Sequence, residues 1–212
     1  MNDDWVVLLV GGASGVGKSS MSHRLARLLD ANLTELDDIS IALRAVTTPG
    51  QQPLLHFWET NLAEFLSWTD DQRAEHHLRV CREVYHPVIE AVIADHLETG
   101  IRVVYEGDYF TPELIARIGD HRVRGLFVSE PDEAQIRINL TGREGEVEPE
   151  RIRTCRVLDE RFRSACALVG VPVVDARPWA DVVERALAAL TSPQAVEHQA
   201  AGGDAGTDPL GP

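Results

Sequence analysis

The residues from Gly12 to Ser20 have the types and the spacing needed to surround the phosphates of a nucleotide. They match the pattern GxxxxGK[ST] at every fixed position. Glycines at such positions let backbone N–H groups turn inward around phosphate oxygens without a clash at Cβ. Lys18 is expected to reach the β- and γ-phosphates, and the Ser19 hydroxyl to ligate Mg²⁺. The residues predicted to hold ATP in this segment are Gly12, Ala13, Ser14, Gly15, Val16, Gly17, Lys18, Ser19 and Ser20.

Lys18 is the only lysine among the 20 basic residues of the chain, and all the others are arginine. A compact ammonium fits a phosphate loop where a planar guanidinium is too large. The alternative is a chance glycine-rich turn before a helix. The surrounding sequence argues against that alternative, because a β-branched apolar run precedes the segment and a helical pattern follows it. We therefore interpret Lys18 as a catalytic residue in a phosphate-binding loop.

Acidic residues follow two later strand-like segments, at positions where open parallel sheets bind their ligands. Phosphoryl transfer to a hydroxyl needs one carboxylate to orient the acceptor and receive its proton, and another to hold magnesium. We predict the first role for Asp37 and the second, together with Ser19, for Glu106. Asp38 and Asp108 are further candidates for substrate binding. The alternatives are helix capping by the aspartate pair and a solvated strand end at Glu106.

Five arginines surround the polar, glycine-containing segment 141–150, which the composition predicts to be a mobile loop. Arginine offers forked donors to the oxygens of a transferring phosphoryl group, and a loop that closes over ATP would exclude water. Arg137 and Arg143 lie nearest the start of this segment, so we predict that these two are catalytic. The alternative is a solvated basic helix face paired with the neighbouring glutamates.

Short apolar runs alternate with helical patterns along the chain, which predicts an α/β fold with a parallel sheet covered on both faces. The predicted strands are 5–10, 32–36, 101–105, 123–128 and 171–174. Helices are predicted to begin at Lys18 and after Pro112, and to cover 39–45, 54–68, 131–140, 151–169 and 179–190. A further helical stretch contains Pro87, which should kink it after Tyr85. The segment 191–212 is aperiodic and rich in Gly, Pro and Ala, which predicts a disordered tail after one domain over 1–190.

The bulk composition narrows the partners that this chain can have. A net charge of −14 argues against nucleic acid or an anionic membrane surface as a partner. The apolar runs are too short to span a bilayer, and Asp3 and Asp4 stand where a secretory signal would be basic, so we expect a cytoplasmic protein. The three cysteines form no CxxC pair and no zinc spacing, and are expected to be buried thiols.

Two segments together resemble a known family. The loop GGASGVGKSS, followed by LDDISIALR after the second strand, resembles the small P-loop kinases, most of all the 2-phosphoglycerate kinase-like or zeta-toxin-like group. The segment VVYEGDYFTP is similar to the strand-Glu-Gly-x-x-x-x-Pro stretch of the phosphoglycerate kinase-like group, through Glu106, Gly107 and Pro112. The third strand ends in Glu-Gly-Asp-Tyr, whereas adenylate kinases have Asp-Gly-Phe-Pro-Arg, which argues against a nucleoside monophosphate acceptor.

This resemblance implies a three-layer P-loop NTPase fold with an adenylate-kinase-like core and the strand order 2-3-1-4-5. It also implies a lid at about 141–149 and a helical acceptor-binding insertion at about 48–86. In related kinases the segment after the last strand packs on adenine, which here would be Ala176, Arg177 and Pro178. The Asp-Asp-Ile segment of the group ends in an arginine, here Arg44, which would suit an anionic acceptor.

The function predicted from these features is ATP-dependent transfer of a γ-phosphoryl group to a hydroxyl of a small molecule, with Mg²⁺. The alternatives are an ATP-hydrolysing, nucleotide-binding regulatory protein and a non-catalytic ATP-binding module. A GTPase would need an Asn-Lys-x-Asp motif, which is excluded because Lys18 is the only lysine. The acceptor stays open among phosphoglycerate-like acids, sugars, nucleosides, amino sugars and hydroxylated antibiotics, and the sequence predicts no oligomeric state.

Overall fold

The sheet positions the candidate site and follows the predicted topology. The computed structural model describes residues 4–191. Its five strands are β1 (Val7–Gly11), β2 (Asn32–Glu35), β3 (Val103–Glu106), β4 (Val123–Ser129) and β5 (Val173–Asp175). All are parallel, in the order β2-β3-β1-β4-β5. The predicted α/β class and strand order are confirmed, and each predicted strand lies within two residues of the observed bounds.

The helices fill the connections between the strands. They are α1 (Lys18–Leu28), α2 (Leu36–Val46), α3 (Phe57–Thr60), α4 (Leu62–Ser67), α5 (Asp70–Val80), a π-helical segment (Cys81–Tyr85), α6 (His86–Thr99), α7 (Pro112–Ile118), α8 (Glu133–Glu144), α9 (Pro149–Val169), a 3₁₀ turn (Trp179–Asp181) and α10 (Val182–Thr191). The segment that the resemblance assigns to acceptor binding therefore contains α3, α4, α5 and the π-helical segment.

The helices cover both faces of the sheet, as the sequence predicts. Helix α1 connects β1 to β2, whereas α6, α7 and α9 belong to connections that run in the opposite direction across the sheet. Because such connections are right-handed, α1 covers one face of the sheet and α6, α7 and α9 cover the other. Helix α10 packs beside α1 and against β4 and β5. Strand β1 lies at the centre of the sheet and is buried along its whole length. Its carboxyl end, where the phosphate loop begins, is thus held by packing on both faces.

Pro87 lies where the helix changes type. A proline in a helix leaves one backbone carbonyl without its usual partner and crowds the preceding turn. Residues Cys81–Tyr85 form a π-helical turn in which the N–H of His86 donates to the carbonyl of Cys81. Helix α6 then begins at His86, with Pro87 in its first turn. The distortion that the sequence predicts after Tyr85 is therefore present as a π-helical turn rather than as a break.

The prediction of a mobile loop over 141–150 is wrong for most of that segment. Helix α8 continues through Thr141, Gly142, Arg143 and Glu144, and α9 begins at Pro149. The ion pairs that Glu144 forms with Arg143 and Arg151 stabilise this helical hairpin, which a count of polar residues does not reveal. The connection between the two helices is therefore residues 145–148, opened by Gly145 with φ of 86°.

Two other predictions concern the ends of the chain and the membrane. Thr191 is the last residue of α10, and the rest of the predicted disordered tail, 192–212, lies outside the described residues. Within residues 4–191, no helix is both long enough and apolar enough to cross a membrane. Cys81, Cys155 and Cys166 are all buried and unpaired, as expected.

Candidate functional site

The phosphate loop joins the buried end of β1 to α1 and has the backbone of an anion-binding nest. Gly12, Gly15 and Gly17 have φ values of 143°, 85° and 98°, which favour glycine. A Cβ on Gly12 would lie 2.5 Å from the carbonyl oxygen of Val128, so a side chain at this position would collide with backbone. Gly12 and Ala13 are buried within the turn. The glycines of the motif are therefore required by this backbone.

The first turn of α1 points its positive end into the loop. Gly17 is the N-cap, no side chain caps the helix, and no acidic residue lies in its first turn. Its leading N–H groups can therefore bind an anion. Lys18 is 6% exposed, and its Nζ donates to the carbonyl of Ala13 at 3.3 Å. The ammonium is thus folded over the loop, at the position where the sequence predicts that it meets phosphate.

A cavity of about 500 Å³ opens beside this loop. That volume is within the usual range for small-molecule and cofactor sites. Loop and helix residues 15–20 line one side of it, Asn139, Gly142 and Arg143 of α8 line a second, and Ala176, Arg177 and Trp179 line a third. The structure therefore brings residues 15–20 of the predicted loop, together with Arg177, to one cavity, whereas residues 12–14 and Pro178 are not among its lining residues.

Ser19 and Glu106 meet at the carboxyl ends of β1 and β3. The Ser19 hydroxyl donates a hydrogen bond to Oε1 of Glu106 at 3.0 Å. The other oxygen, Oε2, is buried and has no hydrogen-bond partner. Burial raises the pKa of the Glu106 carboxyl, and nearby Lys18 and the Ser19 hydroxyl partly offset that rise. A buried, unsatisfied carboxylate oxygen beside a hydroxyl is the donor set that Mg²⁺ prefers.

Within the described part of the chain, no three side chains of His, Cys, Asp and Glu gather in a way that could hold a metal ion. A magnesium ion at this place would accordingly take Ser19 and Glu106 as protein ligands, and the rest from phosphate and water. Such partial protein ligation is usual for Mg²⁺ bound with a nucleotide. The residues present thus fit magnesium bound together with ATP and do not form a separate metal centre.

Asp37 lies in the first turn of α2 and faces the phosphate loop. Burial and the charge of Asp108 raise the pKa of the Asp37 carboxyl above its usual range, whereas Lys18 and Arg143 act in the opposite direction. These charges act on Asp37 because all three residues lie around it. Glu35 is the N-cap of α2 and its side chain makes no capping bond, so capping does not occupy Asp37 or Asp38. Asp37 and the next residue of the helix, Asp38, are both exposed over part of their surface.

Asp108 contacts the phosphate loop directly. Its Oδ2 accepts a hydrogen bond from the Ser14 hydroxyl at 2.8 Å. Burial favours the neutral acid, but Lys18, His77 and the Ser14 hydroxyl together hold the pKa of Asp108 below its usual range. Asp37 and Asp108, which both lie near Lys18, thus differ, because the pKa of Asp37 is raised and that of Asp108 is lowered. The sequence predicts substrate binding for Asp108, and the structure gives it a contact with the loop.

The two predicted arginines of α8 lie in different environments. Arg143 lines the cavity. Burial acts to lower its pKa, but the hydrogen bond to Glu144 and the charge of Glu144, followed by the charges of Asp37 and Asp108, raise it. Arg137 instead pairs with Glu133 at 3.4 Å in an exposed (i, i+4) ion pair and does not line the cavity. The structure therefore brings Arg143 to the site and leaves Arg137 on the outer face of α8. For Arg137 this agrees with the alternative given above, a solvated basic helix face paired with glutamates.

Arg44 lies in the last turn of α2. Its guanidinium lies over the ring of Trp58 at 5.4 Å and pairs with Glu59 at 3.6 Å. Its Nε is buried without a hydrogen-bond partner. Arg44 thus joins α2 to α3, which belongs to the segment assigned to acceptor binding. Its predicted role in binding the acceptor stays a prediction.

Asn139 and Trp179 line the cavity but are not among the site residues predicted from the sequence. The Asn139 amide donates to the carbonyl of Gly15 at 2.7 Å and so ties α8 to the phosphate loop. The Trp179 ring lies 3.0 Å from the place where a Cβ of Gly17 would be, and so forms a wall at the entrance to α1. Asn139 carries no recognisable motif. Trp179 does have a signal, since it follows directly on the segment 176–178 that the resemblance assigns to adenine.

Comparison with known sequences gives one kind of relative. No model of a known protein family matches this chain. It is 29% identical over 119 residues to a protein named 2-phosphoglycerate kinase from Methanococcus maripaludis, in both strain C5 and strain C6. The alignment covers 52% of this chain and 37% of the relative. The chain therefore spans little more than a third of the length of these curated relatives.

Comparison with solved structures concerns the fold. A gluconokinase from Sinorhizobium meliloti 1021 aligns with a TM-score of 0.52 and 21% identity, over 87% of this chain and 91% of that one. Shikimate kinase from Acinetobacter baumannii, in complex with shikimate, aligns with a TM-score of 0.53 and 12% identity, over 86% and 91%. This chain therefore shares its fold with these two proteins over most of the length of each.

Proposed function

We propose that this protein is a phosphotransferase that moves the γ-phosphoryl group of ATP to a hydroxyl of a small acceptor molecule. The observation that carries the proposal is that two carboxylates lie near Lys18 and an arginine lines the same cavity as Lys18. These are Glu106 bonded to Ser19, Asp37 on α2, and Arg143 on α8. A module that only binds a nucleotide has no use for a carboxylate of raised pKa and an arginine facing the end of the phosphate loop.

Each group has a separate task in this proposal. Lys18 and the N–H groups of the loop bind the β- and γ-phosphates and stabilise negative charge as it moves toward the leaving oxygen. Asp37 orients the acceptor hydroxyl and takes its proton, which a carboxylate of raised pKa does better than an ordinary aspartate. Arg143 donates to the transferring oxygens. Magnesium, held by Ser19 and Glu106, supplies charge neutralisation at the phosphates.

The comparisons support this proposal without identifying the acceptor. The sequence relative is named a 2-phosphoglycerate kinase, and two solved structures of similar fold are named a gluconokinase and a shikimate kinase. All three names describe phosphoryl transfer to a small molecule. The cytoplasm is the expected location, because it supplies ATP and keeps the three buried thiols reduced.

The direct test is acceptor-dependent turnover. Purified full-length protein is incubated with ATP and Mg²⁺ alone, and then with a panel of hydroxyl-bearing acids, sugars, nucleosides, amino sugars and hydroxylated antibiotics. We expect little ADP without an acceptor, a large increase with one class of acceptor, and a product heavier by one phosphoryl group in mass spectrometry. The matched control is Lys18→Met, which should bind acceptor and fold normally but lose turnover.

Two results would contradict the proposal. Rapid ATP hydrolysis that no acceptor increases would favour the alternative, an ATP-hydrolysing regulatory protein. Turnover by Lys18→Met at the wild-type rate would show that the phosphate loop is not the reacting site. Lys18→Arg should also be severely impaired, because the planar guanidinium is too large for the nest that Gly12 and Ala13 enclose.

A further inference from the structure

Asp108 makes contacts in two directions, one through its side chain and one through its backbone. Its carboxylate accepts from the Ser14 hydroxyl of the phosphate loop at 2.8 Å. Its backbone carbonyl is 2.6 Å from Nε2 of His77, on α5. A carbonyl oxygen can only accept, so Nε2 of His77 carries the proton and donates. One residue thus joins the loop that binds phosphate to the helix assigned to the acceptor.

The backbone carbonyl of Asp108 accepts a second hydrogen bond in addition to the one from His77. The Cys81 thiol also donates to the carbonyl of Asp108, at 3.4 Å. Cys81 is the first residue of the π-helical segment, which directly follows α5. The rings of His77 and Tyr109 lie 5.9 Å apart, so the residue after Asp108 packs on the same histidine. Residues 108 and 109 are therefore fixed to α5 and to the turn that follows it.

Helix α5 is in turn bound to α9, the helix that follows the connection 145–148. Arg153 donates to Asp70 at 3.0 Å, and Arg161 pairs with Glu75 at 2.8 Å and with Asp71 at 3.0 Å. A displacement of α5 relative to α9 would therefore break or rearrange these ion pairs. The hydrogen-bonded series Ser14, Asp108 and His77, here named the Ser14–Asp108–His77 link, thus connects the phosphate loop with both helices.

We propose that His77 is a positioning residue for nucleotide binding. It acts through Asp108, which it holds so that the carboxylate fixes Ser14 and with it the start of the phosphate loop. Nucleotide binding and the placement of α5 are then coupled in both directions, since coupling between two sites is reciprocal. The inference rests on the proposed function only in that the phosphate loop must bind ATP.

The experiment needs no knowledge of the acceptor. The affinity of the full chain for AMP-PNP with Mg²⁺, a non-hydrolysable ATP analogue, is measured by calorimetry. We expect His77→Ala to weaken binding about 5-fold or more, the lower range of ordinary coupling between sites. His77→Gln should restore most of the affinity, because its amide can still donate to the Asp108 carbonyl. The control is His76→Ala, since His76 packs on Phe57 and Trp68 and should leave the affinity unchanged.

A thermodynamic cycle separates the link from general loosening of the structure. In a Ser14→Ala background the loop end of the link is gone, so His77→Ala should weaken AMP-PNP binding no further. The inference would be overturned if His77→Ala weakened AMP-PNP binding equally in both backgrounds, or if it did not weaken binding in the otherwise wild-type protein. Either result would leave the proposed function intact. Absence of AMP-PNP binding by the wild-type protein would overturn both.

A second measurement decides the matter if His77→Ala does not fold. Amide hydrogen exchange of α5 is followed in wild type and in Ser14→Ala, each with saturating AMP-PNP. We expect the analogue to slow exchange in α5 of the wild type and to slow it much less in Ser14→Ala. Equal slowing in both proteins would show that the nucleotide reaches α5 by another route and would overturn the inference.

Discussion

The backbone N–H of Thr111 donates a hydrogen bond to Nε2 of His86 at 3.3 Å, inside the core where α6 and α7 begin. His86 is 3% exposed. Nε2 can accept this bond only when it carries no proton. Burial and the positive charge of Arg117 lower the pKa of His86 to about 4, although Glu90 and Glu113 act against that change. The folded protein therefore requires a neutral histidine here.

This bond predicts a loss of stability in acid. The pKa of His86 is 6.5 in the unfolded chain and about 4 in the folded one. The unfolded state thus binds more protons between these values, so stability is complete above the unfolded pKa and falls as the pH falls toward the folded one. The loss expected by pH ~5 is about 2 kcal/mol in the free energy of unfolding. Urea unfolding at pH ~7.5 and ~5 measures it.

The control for this prediction is a comparison of two glutamine variants. His86→Gln keeps an acceptor for the Thr111 N–H but does not titrate, so its stability should change less between the two pH values. His121→Gln replaces an exposed histidine and should behave as wild type. Equal acid sensitivity of wild type and His86→Gln would show that other groups cause the loss.

The two arginines of α8 give a matched pair of substitutions. Arg143 lines the cavity, and Glu144 accepts a hydrogen bond from its Nε at 2.9 Å and one from Arg151 Nη2 at 3.0 Å. Removing one preorganised donor from a reacting site costs about 10²-fold in turnover. We therefore expect Arg143→Ala to lose about 10²-fold in kcat and Arg137→Ala to stay near wild type. Steady-state kinetics with an identified acceptor compares them.

Glu144→Gln tests the same arrangement more gently. The amide keeps the size but removes the charge that holds Arg143 and Arg151 together. A fall in kcat smaller than that of Arg143→Ala, with little change in melting temperature, is expected. If Arg137→Ala lowered kcat more than Arg143→Ala, the prediction that Arg137 is catalytic would be correct, and the role proposed for Arg143 in the cavity would be wrong.

The sequence predicts the fold and the loop well because their signals are local. Lys18 and Ser19 follow from a motif, and Glu106 follows from its place after an apolar run. The helix end at Glu144 and the contact of Asn139 with Gly15 depend on pairs that are far apart along the chain or on ion pairs between helices. No local pattern encodes such partners. Asp108 is therefore a weak candidate from the sequence alone, because its contacts with Ser14 and His77 join residues that are far apart along the chain.

Glu106→Gln tests the metal position. Glutamine can still accept from the Ser19 hydroxyl, but it carries no charge to attract a divalent cation. We expect the Mg²⁺ concentration for half-maximal turnover to rise about 10-fold, with a lower kcat at saturation. Glu133→Gln is the control, because Glu133 pairs with Arg137 and does not line the cavity. An unchanged Mg²⁺ requirement in Glu106→Gln would argue against its role as a ligand.

Asp37→Asn separates binding from chemistry. Asparagine has the size of aspartate, and Asp37 is not the N-cap of α2, so the free energy of unfolding should change little. The amide cannot take a proton from an acceptor hydroxyl, so turnover should fall about 10²-fold or more, the usual scale for general-base catalysis. Affinity for ATP should stay within a few-fold, because Lys18 and Ser19 are untouched.

The pH dependence of kcat makes this last prediction specific to Asp37. Its pKa is raised by burial and by Asp108, so the wild-type acid limb should lie above the pH expected for an ordinary aspartate. Turnover should be lost as the pH falls through that raised pKa, because the protonated carboxyl is no longer a base. The residual turnover of Asp37→Asn should not show this limb. A variant with full turnover and an unchanged limb would place the base at Asp38 or Asp108 instead.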